Sequence, residues 1–275
     1  MSDYRPRQPG YALAGPTYTT WPVLSGHRLA GLLSEIFYLE QLPEHAEAQV
    51  VPDGCDDLLL LFDGQGVRGY FSPSLRERRR FCFSRKGYLL GVRFQPGAAA
   101  NVIGEPRCFS ACGPIEGEDL WQDFAQVKEQ LAETRTLGQK TALLTTYLQG
   151  KARSDTDRQR LVKFCVSYIL ETQGTCSVEA LARRTGYTDR YLRQCFRDSL
   201  GHGPKEFAEI VRVQRLLQLL EEQPWLPLGE TALRCGFADQ SHMNRAARRY
   251  LGHPAGQLRS QTAWSGAGPA ERRFG

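Results

Sequence analysis

At 275 residues, 41% hydrophobic and 24% charged, the chain is long enough for about two domains and too apolar to be disordered, and no run nears the about 18 apolar residues of a membrane span. The opening Met1-Ser2-Asp3-Tyr4-Arg5-Pro6 lacks the basic-then-apolar plan of a secretory signal and the eight cysteines follow no framework spacing, so a cytoplasmic protein with reduced thiols and no membrane partner is expected. The net charge of +5 is uneven, with 18 Lys and Arg against 12 Asp and Glu in residues 151–260 and 15 against 17 in residues 1–150, which favours a polyanionic partner for the C-terminal part, a solvated basic face being the equal alternative on charge alone.

Residues 1–125 read as a β-rich domain. Short apolar runs at 49–51, 58–62, 81–83 and 88–94 are separated by turns such as Pro52-Asp53-Gly54, Asp63-Gly64 and Gln95-Pro96-Gly97. Segment 27–40 is ambiguous: Leu29, Leu32, Leu33, Ile36 and Phe37 have helical spacing, yet Ile36–Leu39 also suits a strand. Gly64-Gln65-Gly66-Val67-Arg68-Gly69 satisfies the dinucleotide-binding pattern, but the β-like Tyr70-Phe71-Ser72-Pro73 follows where a helix is needed, so a glycine hairpin is expected. Cys108 and Cys112, with Cys55 and Cys82, suit either a thiol or soft-metal sensor or, preferably, small buried apolar side chains. No His or Cys pairing has zinc-finger spacing, and the residues call for no metal and no cofactor. No G-x-S-x-G, P-loop or H-E-x-x-H motif occurs, so no catalytic residue is assigned.

From Glu118 the apolar period becomes helical, and residues 126–157 are read as a helical connector ending in the polar linker 150–157. Leucines within 118–149 suit either a homodimer interface or packing onto the β-rich domain. Residues 158–260 are helical throughout, with Pro204 opening one helix and Pro224 following its end, and residues 261–275 are read as a disordered tail.

An internal repeat lies in this helical part. Leu181-Ala182-Arg183-Arg184-Thr185-Gly186-Tyr187 and Thr231-Ala232-Leu233-Arg234-Cys235-Gly236-Phe237 share Ala and Gly at an offset of 50, and Leu192/Met243 and Gly201/Gly252 follow at an offset of 51. Each copy has a small residue where two helices cross, then Gly-aromatic where the first helix stops, then a second amphipathic helix. That is the plan of a helix-turn-helix, whose second helix fits a major groove about 12 Å wide.

Residues 159–259 resemble the DNA-binding domain of the AraC/XylS transcription-regulator family, through Gly186-Tyr187-Thr188-Asp189-Arg190-Tyr191-Leu192-Arg193-Gln194-Cys195-Phe196, Gly201-His202-Gly203-Pro204 and Gly236-Phe237-Ala238-Asp239-Gln240-Ser241-His242-Met243-Asn244-Arg245. The resemblance implies base contacts by Arg190, Arg193 and Gln194 in the first unit and by Gln240, Ser241, His242 and Arg245 in the second. Thr188, Arg197, Arg248 and Arg249 are assigned to phosphate. The second unit departs from the family pattern at Ala247, where Phe is usual, and at Gly252-His253-Pro254, so it is expected to pack differently or bind less tightly.

Val51-Pro52-Asp53-Gly54-Cys55-Asp56-Asp57-Leu58 and Gly91-Val92-Arg93-Phe94-Gln95-Pro96-Gly97-Ala98-Ala99 resemble a pattern that precedes this domain in one subgroup of the family. The implied fold class is α+β, with a β-rich half-barrel or cupin-like domain followed by an all-α domain of two helix-turn-helix units. The implied partners are double-stranded DNA, RNA polymerase and a small-molecule effector of unknown identity. Asp53, Cys55, Asp57 and Arg93 are the candidate effector contacts, with turn-capping and a structural ion pair as equal explanations. The alternative function is a cysteine-dependent alkylation or redox sensor in residues 1–125, with Arg107 beside Cys108 as the activating cation.

Overall fold

The computed structural model describes residues 4–9, 17–23, 27–42, 44–83, 85–104, 114–261 and 270–271. The described residues include nine strands: β1 (Thr17–Pro22), β2 (Leu33–Leu42), β3 (Ala46–Val50), β4 (Asp57–Asp63), β5 (Gly66–Ser72), β6 (Arg79–Phe83), β7 (Gly87–Phe94), β8 (Ile115–Glu116) and β9 (Ala270–Glu271). Seven form a sheet of order β8-β5-β4-β7-β2-β1-β9, antiparallel apart from the β1–β9 pair, and β3 and β6 form a separate two-stranded ribbon. The expected glycine hairpin is the β4–β5 turn, in register from Asp57↔Ser72 to Asp63↔Gly66.

Segment 27–40 resolves into turns followed by β2. A register shift between Leu33 and Glu35 lets Leu33 and Ile36 enter the same core, which is why an apolar spacing of three mimicked a helix. Phe37 and Leu39 point to the opposite face.

Helices follow as α1 (Ala100–Ile103), α2 (Gly117–Leu120), α3 (Phe124–Glu133) and α4 (Leu137–Lys151). After the single turn of α1, helices resume at Gly117, next to the change of period at Glu118. Trp121, Phe124, Val127, Leu131, Leu144 and Leu148 bury themselves against Leu58, Leu60, Phe62, Leu90 and Val92 of the sheet, so the helical leucines serve the core of this domain. The ribbon covers the other face through Ala48, Val50, Phe81 and Phe83. The polar linker reduces to residues 152–156 and is pinned: Asn101 Nδ2 donates to Arg153 O at 3.1 Å and Asp155 Oδ1 at 2.6 Å, and Arg153 N donates to Asn101 O at 2.8 Å.

The remaining helices are α5 (Asp157–Glu171), α6 (Val178–Thr185), α7 (Asp189–Leu200), α8 (Pro204–Glu222), α9 (Leu228–Arg234), α10 (Gln240–Leu251) and α11 (Ala255–Gln261). Thr156 starts α5 with a capping box, in which its side chain accepts from Gln159 N and the Gln159 side chain from Thr156 N. The 19-residue α8 carries side chains of two cores, Phe207, Ala208 and Val211 toward α5–α7 and Ile210, Val213, Leu217 and Leu220 toward α9–α11. Within 261–275, read from sequence as a disordered tail, Ala270 and Glu271 instead pair with Thr19 and Thr20, and 262–269 and 272–275 lie outside the described residues.

Candidate nucleic-acid interface

Each half of the repeat closes by the same backbone device. Gly186 (φ 73°) and Gly236 (φ 75°) turn the chain in the left-handed region between α6 and α7 and between α9 and α10, and Gly201 and Gly252 end the second helices in that same conformation. The second helices begin on side-chain caps, Thr188 accepting from Tyr191 N at 3.3 Å and Asp239 from His242 N at 2.7 Å.

Both second helices are amphipathic in the sense their sequence demands. Leu192, Cys195, Phe196 and Leu200 of α7 are buried, as are Met243, Ala246, Ala247, Tyr250 and Leu251 of α10. Thr188, Arg190, Arg193, Gln194 and Arg197 are exposed on the first unit, and Gln240, Ser241, Arg245, Arg248 and Arg249 on the second. His242 is half-buried, its ring edge-on to Phe237 at 5.4 Å. Arg193 lies 3.5 Å from Asp189, Gln194 donates to Asp198 at 2.8 Å, and Arg249 is held by Glu206 and Glu209 at 3.2 Å each. The side chains of Arg190, Arg245 and Arg248 have no hydrogen-bond or ion-pair partner among the described residues.

The second unit does pack differently. Ala247 is fully buried, and Tyr250, at the repeat position of Ser199, is also fully buried in the same core and donates to Glu209 at 2.8 Å. The first unit instead exposes an aromatic pair, Tyr187 stacked on Tyr191 with centroids 5.0 Å apart, whereas Phe237, the counterpart of Tyr187, is buried.

The sheet domain grips this helical unit, a contact that sequence reasoning missed. Val51 joins the core of the second unit, Gln214 Nε2 of α8 donates to Pro52 O at 2.8 Å, and the Gln214 Oε1 accepts from Arg7 N at 2.7 Å. Gly54 (φ 80°) lies so close to the Phe207 ring that a Cβ there would stand 2.4 Å from Cε2. Ser74 Oγ lies 3.0 Å from Nε2 of His202, whose ring stacks on Phe207 at 5.9 Å. Burial, followed by the nearby Arg76 charge, pushes the His202 pKa down to about 3. The signal was present as a histidine between Gly201 and Gly203 ahead of Pro204, but only the fold supplies Ser74.

The four candidate effector contacts sit behind that grip. Fully buried Arg93 donates to Asp57 Oδ1 at 3.0 Å and Glu35 Oε1 at 2.8 Å, and Asp53 Oδ2 lies 3.6 Å from it. Burial opposes the guanidinium charge, but Asp57, Asp53 and Glu35 hold its pKa above the ordinary value. Asp53 Oδ1 accepts from Cys55 N at 2.9 Å, the turn-capping role. Asp57 and Arg93 are thus paired with each other, and Asp53 also accepts from Gln8 Nε2 at 2.7 Å. Next to them, burial raises Asp56 to about 7, while its Oδ1 accepts from Ser74 N at 2.8 Å. The Cys55 thiol is also driven up by burial, and Cys165 and Cys235 reach about 12 for the same reason, the opposite of an activated nucleophile. Arg107, Cys108 and Cys112 lie outside the described residues, among which no group of three or more metal-ligating side chains occurs. No described helix is long and apolar enough to cross a membrane.

Similarity to known proteins follows the same division. Residues 181–261 match a family described as a helix-turn-helix domain, and residues 24–107 match a domain of unknown function, DUF6597. Over 83 residues the chain is 30% identical to the HTH-type transcriptional regulator GlxA of Rhizobium meliloti (strain 1021), a match spanning 30% of this chain and a quarter (25%) of that regulator. Among solved structures, ToxT from Vibrio cholerae is 10% identical with a TM-score of 0.42, covering 88% of this chain and 98% of ToxT. The C-terminal domain of AraT, a response regulator from Geobacillus stearothermophilus, is 22% identical with a TM-score of 0.36, covering 38% of this chain and 88% of that domain. The C-terminal part of the chain thus contains a helix-turn-helix domain, preceded by an antiparallel sheet domain.

Proposed function

We propose that the chain is a sequence-specific transcription regulator that reads double-stranded DNA with both units, and that its sheet domain modulates the reading in response to an effector. The observation that carries this is the doubled unit itself, with the polar faces of α7 and α10 exposed and their apolar faces buried. Arg190, Arg193 and Gln194, then Gln240, Ser241, His242 and Arg245, address base edges, where an Arg–guanine or Gln–adenine pair discriminates by about 1–3 kcal/mol. Thr188, Arg197, Arg248 and Arg249 address phosphates. Modulation has a physical route because the sheet domain holds α8, the helix shared by both units, at Phe207 and Gln214. RNA polymerase and a second copy of the chain are the protein partners in this reading.

The test is a binding comparison on selected and random duplexes. Arg193→Ala loses discrimination at one base step, whereas Arg248→Ala weakens binding to every duplex and flattens the salt dependence by about one unit. Equal losses from both variants on both kinds of DNA would overturn the division of roles.

A further inference from the structure

The two second helices, the start of α8 and the sheet domain meet around one cavity of about 340 Å³. Arg193 and Arg197 of α7, Arg249 of α10, Lys205 of α8 and Arg76 of the β5–β6 loop line it, five cations against the two carboxylates of Glu206 and Glu209. Both carboxylates are engaged. Glu206 accepts from Arg76 Nη2 and from Arg249 Nη2, each at 3.2 Å, and Glu209 Oε2 accepts from Arg249 Nη1 at 3.2 Å and the Tyr250 hydroxyl at 2.8 Å. The side chains of Arg197 and Lys205 have no hydrogen-bond or ion-pair partner among the described residues. Arg76 spends one Nη on Glu206 and retains its other donors. Gly203 and Pro204 also border the cavity, so the positive end of the α8 dipole adds to its field.

We infer that this cavity is a site for a backbone phosphodiester of the bound duplex, and that the sheet domain supplies part of the DNA-binding surface through Arg76. The inference rests on the reading of the chain as a duplex binder. A cavity walled by both second helices lies where the sugar-phosphate backbone must cross between the grooves those helices enter. Its surplus of guanidinium forks matches the acceptor geometry of a phosphate. The DNA-contacting surface then includes a residue that the helix-turn-helix domain does not contain.

The test uses the full chain, a fluorescent random-sequence duplex of about 30 base pairs and a salt series. Arg76→Gln leaves the fold intact, since an exposed ion pair contributes little to it. Loss of one phosphate contact makes the slope of log K against log salt shallower by about 0.9, an affinity about eightfold weaker at 0.1 M salt relative to a 1 M reference. Arg85→Gln, on the exposed β6–β7 turn, leaves both unchanged. An unaltered slope for Arg76→Gln, with Arg248→Gln shallower, overturns this inference and leaves the proposed function standing, whereas no duplex binding by the wild type overturns both. At constant ionic strength, inorganic pyrophosphate is expected to displace the duplex without saturation. Saturable displacement below about 1 mM that Arg76→Gln abolishes would assign the cavity to a free polyanion and overturn the backbone assignment.

Discussion

Replacing His202 by Gln is expected to make folding stability rise on acidification where the wild type is nearly level. The imidazole has an ordinary pKa of 6.5 and a folded value of about 3, so the unfolded chain binds more protons between these limits and stability falls as pH drops through that window. At 1.36 kcal/mol per unit, the loss between about pH 7 and pH 5 is about 2 kcal/mol. Asp56 works in the opposite sense. Its pKa is raised from 3.8 to about 7, so the folded state binds the extra proton and its contribution grows by about 2 kcal/mol over the same interval. Both groups meet at Ser74, one through its hydroxyl and one through its backbone N–H, and their contributions nearly cancel in the native protein. Urea denaturation at about pH 7 and pH 5 checks this. His202→Gln should gain about 2 kcal/mol relative to wild type on acidification, and Asp56→Asn should lose about as much. Gln and Asn can keep the hydrogen bonds to Ser74 without titrating. Parallel profiles for His202→Gln and wild type would refute the claim that the imidazole is buried neutral between the domains.

Four further substitutions separate the forces in the rest of the molecule. Arg93→Met strands the carboxylates of Asp57, Glu35 and Asp53 and should cost about 3–5 kcal/mol in urea denaturation. Gly186→Ala and Gly236→Ala both impose a left-handed alanine, about 1–2 kcal/mol; only the second places a Cβ 2.5 Å from Thr175 Cγ2, so its unfolding free energy in urea should fall by about 1–3 kcal/mol more. Tyr250→Phe removes a donor to Glu209 and should lower stability by about 1.5 kcal/mol, read from the urea midpoint at an unchanged m-value.

The legible parts of the sequence were those governed by local rules. Gly186 and Gly236 announced their turns because only a residue without a side chain enters that backbone region cheaply, and the β4–β5 hairpin was readable from glycines followed by a β-like, proline-ended run. Segment 27–40 was not readable, because a bulge shifts side-chain parity and no single period describes it. Asp53, Asp57 and Arg93 drew attention because they stand in the two runs that resemble a family pattern, but Glu35, which completes their set, comes from a distant strand. Arg76 and Ser74 were invisible for the same reason: nothing within their neighbourhood of sequence says that α8 lies against them. Long-range partners are set by topology, and local pattern carries no information about them.

A helix of 19 residues, about 28 Å long, contributes to the interiors of both reading heads, so neither can be re-aimed without disturbing the other. It acts as a fixed ruler. On the duplex-reading hypothesis, targets keep an invariant interval between their two recognised segments, and inserting about half a helical turn of DNA leaves one head facing the wrong side of the rod.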